Sequence, residues 1–197
     1  GTLISDIFFR EYNDLDYMFM YDLMDDGTNA TYTEHNFGAT TYEGKPKLHY
    51  MSIANLNNQT NGAVQIGEIQ TGLEDGTRAF MYYKDGEPVV VAWSCTVGGK
   101  PVVWNMNGEN VEVIDNFGNV ISKNAQSVEI GRSCVYIKGL SDKWIQKAVH
   151  DDVVKLNAEW CERYLSKLEP EVQEQILAVF SKTEETLKED MEEFADE

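Results

Sequence analysis

Arg78-Ala79-Phe80-Met81-Tyr82-Tyr83-Lys84-Asp85-Gly86-Glu87-Pro88-Val89-Val90-Val91-Ala92-Trp93 is the stretch on which the fold turns. Two runs rich in aromatic and β-branched residues flank Asp85-Gly86. A two-residue turn whose twist matches that of its strands needs φ > 0 at both central positions, and Asp-Gly tolerates this well. The stretch therefore predicts two antiparallel strands, over 78–83 and 88–93. The pattern recurs downstream. Residues 100–106 and 110–114 flank Asn107-Gly108, a second hairpin signal. Gly118-Asn119 marks another turn, and 127–130 and 134–138 read as further strands. Six or seven short strands at this spacing predict an antiparallel β-sandwich over 66–141.

Outward from this centre, both flanks read as different structure. In 142–197, Ile145, Val149, Val153, Leu156, Trp160, Tyr164 and Leu168 recur every three or four residues and make one apolar stripe. Ser141-Asp142 suits the start of that helix, and Pro170 suits the first turn of a second one. Residues 1–65 read as helix, strand, loop, helix. Leu3, Ile7, Phe8, Tyr12 and Leu15 have helical spacing. The apolar run over 17–21 suits a strand covered on both faces, as in parallel sheets. A polar loop runs on to Gly38. After Gly44-Lys45-Pro46 comes a helix carrying Leu48, Met51, Ile53 and Leu56, closed by Asn61-Gly62. The expected fold class is α+β, in three segments: 1–65, an antiparallel β-sandwich over 66–141, and an acidic helical tail over 142–197.

Composition removes several classes of function. The 197 residues suffice for a substantial core. Asp and Glu number 34 against 16 Lys and Arg, a net charge of −18. Nucleic acid and anionic membrane surfaces need a basic face, so neither is an expected partner. No apolar run approaches the ~20 residues of a membrane helix, so no membrane insertion is expected. Cys95, Cys134 and Cys161 form no C-x-x-C, and His35, His49 and His150 are scattered. Free thiols are the expectation, with no metal and no cofactor. The chain opens Gly1-Thr2-Leu3 without Met, which suggests a piece of a longer protein.

The richest polar stretch follows the 17–21 run and includes Tyr21, Asp22, Asp25, Asp26, Gly27, Glu34 and His35. Polar residues beyond the carboxyl end of a buried strand are where α/β proteins place ligands. An EF-hand loop starting at Asp22 would put Gly27 at its glycine position. It would also put Met24 and Thr33 where oxygen ligands are needed, so calcium is disfavoured. Two of Asp22, Asp25 and Glu34 acting as an acid/base pair is a second reading. Solvated acids in a surface loop are the third. Tyr82, Tyr83, Trp93 and Trp104 read as core or cross-strand partners, with a sugar-stacking platform as the alternative.

Together these motifs resemble a known family. Phe19-Met20-Tyr21-Asp22-Leu23-Met24-Asp25-Asp26-Gly27, Glu34-His35-Asn36-Phe37-Gly38 and Gly44-Lys45-Pro46-Lys47 with the following helix look like the eighth strand and eighth helix of a (β/α)8 barrel. The barrel is that of the β-xylosidase-like retaining glycoside hydrolases. Val89-Val90-Val91-Ala92-Trp93, Val113-Ile114-Asp115-Asn116-Phe117-Gly118-Asn119 and Val135-Tyr136-Ile137-Lys138-Gly139 resemble the β-sandwich that follows such barrels. The resemblance implies that the family's acid/base and nucleophile, two Glu on the fourth and seventh strands, precede Gly1. No catalytic residue is then expected in this chain. It also implies that Tyr21 stacks on a sugar ring and that Asp22, Glu34 and His35 hydrogen-bond sugar hydroxyls or hold the loop. The partner would be an oligo- or polysaccharide held through the parent enzyme, outside or on the surface of a bacterium. Residues 142–197 have no counterpart in the family. Their stripe is expected to cover the orphaned barrel piece, unless a homodimer does so. The alternative function is a stand-alone carbohydrate- or protein-binding sandwich with a helical docking or oligomerisation tail.

Overall fold

A computed structural model describes Ile7 and residues 19–69, 71–73, 76–95, 99–152 and 165–178. The predicted hairpin is present. Strand β2 (Thr77–Lys84) pairs antiparallel with β3 (Glu87–Ser94), in register from Thr77 opposite Ser94 to Lys84 opposite Glu87. Asp85 has φ 52° and Gly86 φ 86°, the conformation the turn requires.

Side chains alternate along the hairpin, so two faces fill. Ala79, Met81, Val90 and Ala92 enter one apolar cluster; Phe80, Tyr82, Val89, Val91 and Trp93 enter another. Because both faces are covered, each strand reads as a continuous apolar run and not as an apolar–polar alternation.

The hairpin belongs to a six-stranded antiparallel sheet ordered β1-β2-β3-β8-β5-β6. Its other members are β1 (Val64–Glu68), β5 (Val111–Ile114), β6 (Val120–Ala125) and β8 (Val135–Lys138). Two further strands, β4 (Val102–Asn105) and β7 (Ser127–Ile130), form a small second sheet. The fold class is α+β, as expected. Strands β1 and β6 were not anticipated. Strand β6 contains no buried residue, which removes the apolar signal that marks a strand in sequence.

The Asn107-Gly108 expectation is half right. Asn107 has φ 54°, Gly108 has φ 89°, and Glu109 N–H donates to Met106 O at 3.1 Å. Yet the flanking strands do not pair with each other. Strand β4 pairs with β7, while β5 pairs with β6 and β8. The turn carries the chain from one sheet to the other. Turn chemistry sets a local reversal, whereas the partner of each strand is decided by which face it buries. Trp104 of β4 buries itself edge-on against Trp144, with ring centroids 5.3 Å apart.

Helices cover both faces of the large sheet. Helix α1 (Leu48–Thr60) lies on the face of Tyr136 and Val91, with Leu56 in that cluster and Ile53 and Ile7 packed against it. Helix α2 (Lys143–Asp152) and a third, α3, over 170–178 lie on the opposite face with the small sheet. Their buried residues Trp144, Ile145, Ala148, Val172 and Ile176 pack among Val90, Ala92 and Ile137. The described part of the tail stripe thus covers the sandwich, on the face away from α1. Val153, Leu156, Trp160 and Tyr164, on which the expected cover over the first segment also rests, lie outside the described residues.

Two expectations in the first segment also change. Residues 19–21 form no strand, and Phe19 is 92% exposed. Among the described residues no strand lies beside them to complete a ladder; Tyr17 and Met18 lie outside that set. In α1, Leu48 and Met51 are exposed. The buried side is Ser52, Asn55, Leu56 and Gln59. A largely polar face is buried because it meets hydrogen-bonding groups of the β5–β6 turn.

Candidate functional site

The loop between residue 19 and α1 is built around Asp25. Its side chain is buried, and its Oδ1 accepts the Gly38 N–H at 2.9 Å and a hydrogen bond from Lys47 Nζ. Lys47 Nζ also donates to Asn36 O at 3.1 Å. Asp25 N–H donates to Thr40 O, Ala39 N–H to Asp22 O, and Thr40 N–H to Leu23 O. The segments 22–25, 36–40 and 46–47 are therefore tied into one unit. Gly38 is needed there because an added Cβ would overlap the backbone of Met24 and Asp25.

This frame presents a polar and aromatic surface. The Tyr21 hydroxyl donates to Asp26 Oδ2 at 2.5 Å, and the Tyr21 ring meets Phe37 edge-on at 6.2 Å. The bond to Asp26 and the charge of that carboxylate, with smaller contributions from Asp22 and Glu34, push the phenol up to about 12. One oxygen of Asp22, Oδ1, is buried without a hydrogen-bond partner among the described residues. Glu34 Oε2 accepts the Tyr32 hydroxyl at 2.9 Å. His35 Nδ1 accepts the Asn29 N–H at 3.3 Å, and its ring meets Tyr32 edge-on at 4.9 Å. Its ring also lies on Gly27, where a Cβ would collide with it.

Tyr21, Asp22, Glu34 and His35 thus share one loop system, but in two groups. Tyr21 and Asp22 stand near Asp26 and Phe37; Glu34 and His35 stand with Tyr32. Sequence reading missed Asp26 as the partner of Tyr21 and Phe37 as the companion ring, although both lie inside the motifs quoted above. Asp25 is no candidate acid or base, since its carboxylate is buried and engaged by Lys47 and Gly38. The signal for that pairing, an acid and a base 22 positions apart, is invisible to local pattern.

The strand aromatics form no platform. Tyr82, Trp93 and Trp104 are buried, Tyr83 is half-buried against the cluster that holds Trp104, and Trp93 stacks on Phe80 at 5.4 Å. This corrects the sugar-stacking alternative: rings that complete a core have no free face.

A second concave surface lies beside the turn that Ser52 and Asn55 of α1 hold. A groove of about 660 Å³ opens between the β5–β6 turn and the 127–135 segment. Asp115 shapes the turn, its Oδ1 accepting the N–H groups of Phe117 and Asn119, both at 2.8 Å. Burial opposes the Asp115 charge, but hydrogen bonds from Asn119 and Phe117 outweigh it and hold the carboxyl below its ordinary value.

A solved structure described as a family 39 glycoside hydrolase from the gut symbiont Bacteroides cellulosilyticus WH2 aligns with 59% of this chain at a TM-score of 0.49 and 18% identity. The chain spans 25% of that structure's length. No family model matches the sequence, and no curated protein matches it.

Proposed function

We propose that this chain is the non-catalytic C-terminal part of a carbohydrate-active enzyme. In this reading the sandwich supports a barrel, and the 19–47 loop forms one wall of a sugar cleft. The observation that carries it is the exposed Tyr21–Phe37 ring pair beside Asp26 and Asp22, held on the Asp25–Lys47 frame. An aromatic edge next to carboxylate acceptors suits a sugar, whose ring presents C–H faces and hydroxyl donors. The motif resemblance of this same loop to the end of a retaining glycosidase barrel supports the reading.

The carboxylates fit a binding role better than proton transfer. Asp25 is engaged by Lys47, Asp26 by Tyr21 and Glu34 by Tyr32. Glycoside hydrolysis needs two carboxyls held across the scissile bond, one of them poised as an acid.

The test uses the purified chain with para-nitrophenyl β-xyloside and with xylotetraose. No turnover above background is expected, while xylotetraose should shift the amide signals of Tyr21, Asp26 and Phe37. Steady turnover that Glu34→Gln abolishes would overturn the non-catalytic reading. Absence of any shift in 19–47 would remove the sugar-wall role.

A further inference from the structure

The groove beside the β5–β6 turn holds two charged side chains that the loop site does not use. Arg132 and Glu129 are both exposed and both line the groove, and neither side chain makes a hydrogen bond or ion pair among the described residues. Phe117 and Ile121 line it too, 40% and 61% exposed. Ser133 adds a hydroxyl without a hydrogen-bond partner among the described residues.

The groove is also braced. Asn116, 6% exposed, lines it while its Nδ2 donates to Ser52 Oγ at 2.6 Å and its Oδ1 accepts the Cys134 thiol at 2.9 Å. Asn55 Nδ2 donates to Asp115 O at 3.1 Å from the same helix. Helix α1 thus fixes one wall, and a ligand there would not have to order it.

We infer that this groove binds a short uncharged saccharide, at a site separate from the 19–47 loop. Charge decides the class of ligand. One Arg and one Glu whose side chains have no hydrogen-bond or ion-pair partner among the described residues line the groove, and the Asp115 carboxylate is engaged within its own turn by Asn119 and Phe117. The charges of Arg132 and Glu129 cancel, so the groove favours neither an anion nor a cation. A protein of net charge −18 gives an anion no attraction from a distance. A neutral polyol uses both charges at once, because each hydroxyl donates to a carboxylate and accepts from a guanidinium. The Phe117 ring and Ile121 supply apolar surface for the C–H face of a pyranose. The volume is that of a small-ligand site.

The experiment follows amide signals of the full chain by NMR during titration with xylotetraose, cellotetraose and, as an acidic control, tetragalacturonate. A neutral tetrasaccharide is expected to shift Phe117, Ile121, Arg132 and Ser133. Phe117→Ala and Arg132→Ala should each weaken that binding roughly tenfold, whereas Tyr21→Ala should leave it unchanged. Both side chains are exposed, so these variants keep the fold, and an unchanged melting temperature checks this. Three results overturn the site: no groove shift with either neutral sugar at millimolar concentration, tighter binding of tetragalacturonate, or groove shifts that survive Phe117→Ala and Arg132→Ala undiminished. Shifts confined to 19–47 would leave the sugar-wall reading standing and remove this one. Groove shifts alone would do the reverse.

Discussion

Asn116 Nδ2 donates to Ser52 Oγ at 2.6 Å across 64 positions of sequence, with both side chains buried. The bond ties the helix that follows the candidate loop to the sandwich. The Cys134 thiol, pushed up to about 11 chiefly by burial, stays neutral and donates to the same Asn116. Gln59 Nε2 donates to Asn55 Oδ1 at 3.2 Å and extends the network along α1. A polar helix face is stable here because its groups find buried partners.

Removing the hub should therefore cost more than removing one spoke. Asn116→Ala leaves the Ser52 hydroxyl and Cys134 thiol without that partner. The expected loss is about 1–3 kcal/mol in urea unfolding. Ser52→Ala should cost less, and the double variant should show a coupling of at least ~0.5 kcal/mol. Strict additivity would mean that the bond does not hold the helix to the sheet.

Lys47→Met keeps the length of the stem but leaves Asp25 buried with only the Gly38 N–H. Lys47 is 23% exposed on its side chain, so water recovers part of the loss. About 1–3 kcal/mol is expected, felt in the loop before the sandwich. Hydrogen exchange should accelerate at Gly38, Ala39 and Thr40 with little change in β2 and β3. Uniform acceleration across the sheet would show that the loop and sandwich open as one unit.

Tyr21 offers a pH test. Its neutral phenol is favoured by the bond to the Asp26 carboxylate, which lifts it from 10.0 to about 12. A folded value above the unfolded one stabilises the fold below the ordinary value, and this is lost as pH rises through the folded value. In the alkaline window between them, Tyr21 should remain protonated while ordinary exposed tyrosines ionise. Asp26→Asn should move it down towards the ordinary value. The difference in tyrosinate absorbance between the chain and Tyr21→Phe reports this directly. Equal midpoints with and without Asp26 would dispose of the bond in solution.

The two turns with positive φ should respond alike in stability and differently in structure. A β-branched residue resists φ > 0, and neither Gly86 nor Gly108 has a neighbour that an added Cβ would strike. Gly86→Val and Gly108→Val should each cost about 1–2 kcal/mol by thermal melting. Only Gly86→Val should weaken amide protection along a ladder that its turn closes, between β2 and β3. Gly108→Val should instead loosen the passage from β4 to β5, whose ladders are made with other strands.

Much of the fold was legible because it rests on local physics. Asp85-Gly86 and Asn107-Gly108 adopt positive φ as their side chains permit. Asn61 ends α1 by donating its N–H to Asn57 O, with Gly62 at φ 76° beyond it. The apolar runs around Val89 and Val135 are strands. Tyr21, Asp22, Glu34 and His35 do share one loop system, because they are close in sequence.

Long-range choices were not legible. Residues 78–93 by themselves carried an antiparallel hairpin, since both apolar runs abut the Asp85-Gly86 turn and pair outward from Lys84 opposite Glu87. Only the tertiary structure decided that the strands around Asn107-Gly108 part company, since Trp104 is buried by Trp144 on a distant helix. Only it decided that the exposed-looking Ser52, Asn55 and Gln59 face inward, where Asn116 and Asp115 meet them. It also turned Asp25 from a candidate acid into the buried partner of Lys47. The physical reason is common to all three. A turn is settled by the torsions of two adjacent residues, whereas the burial of a side chain is settled by whatever the rest of the chain brings against it.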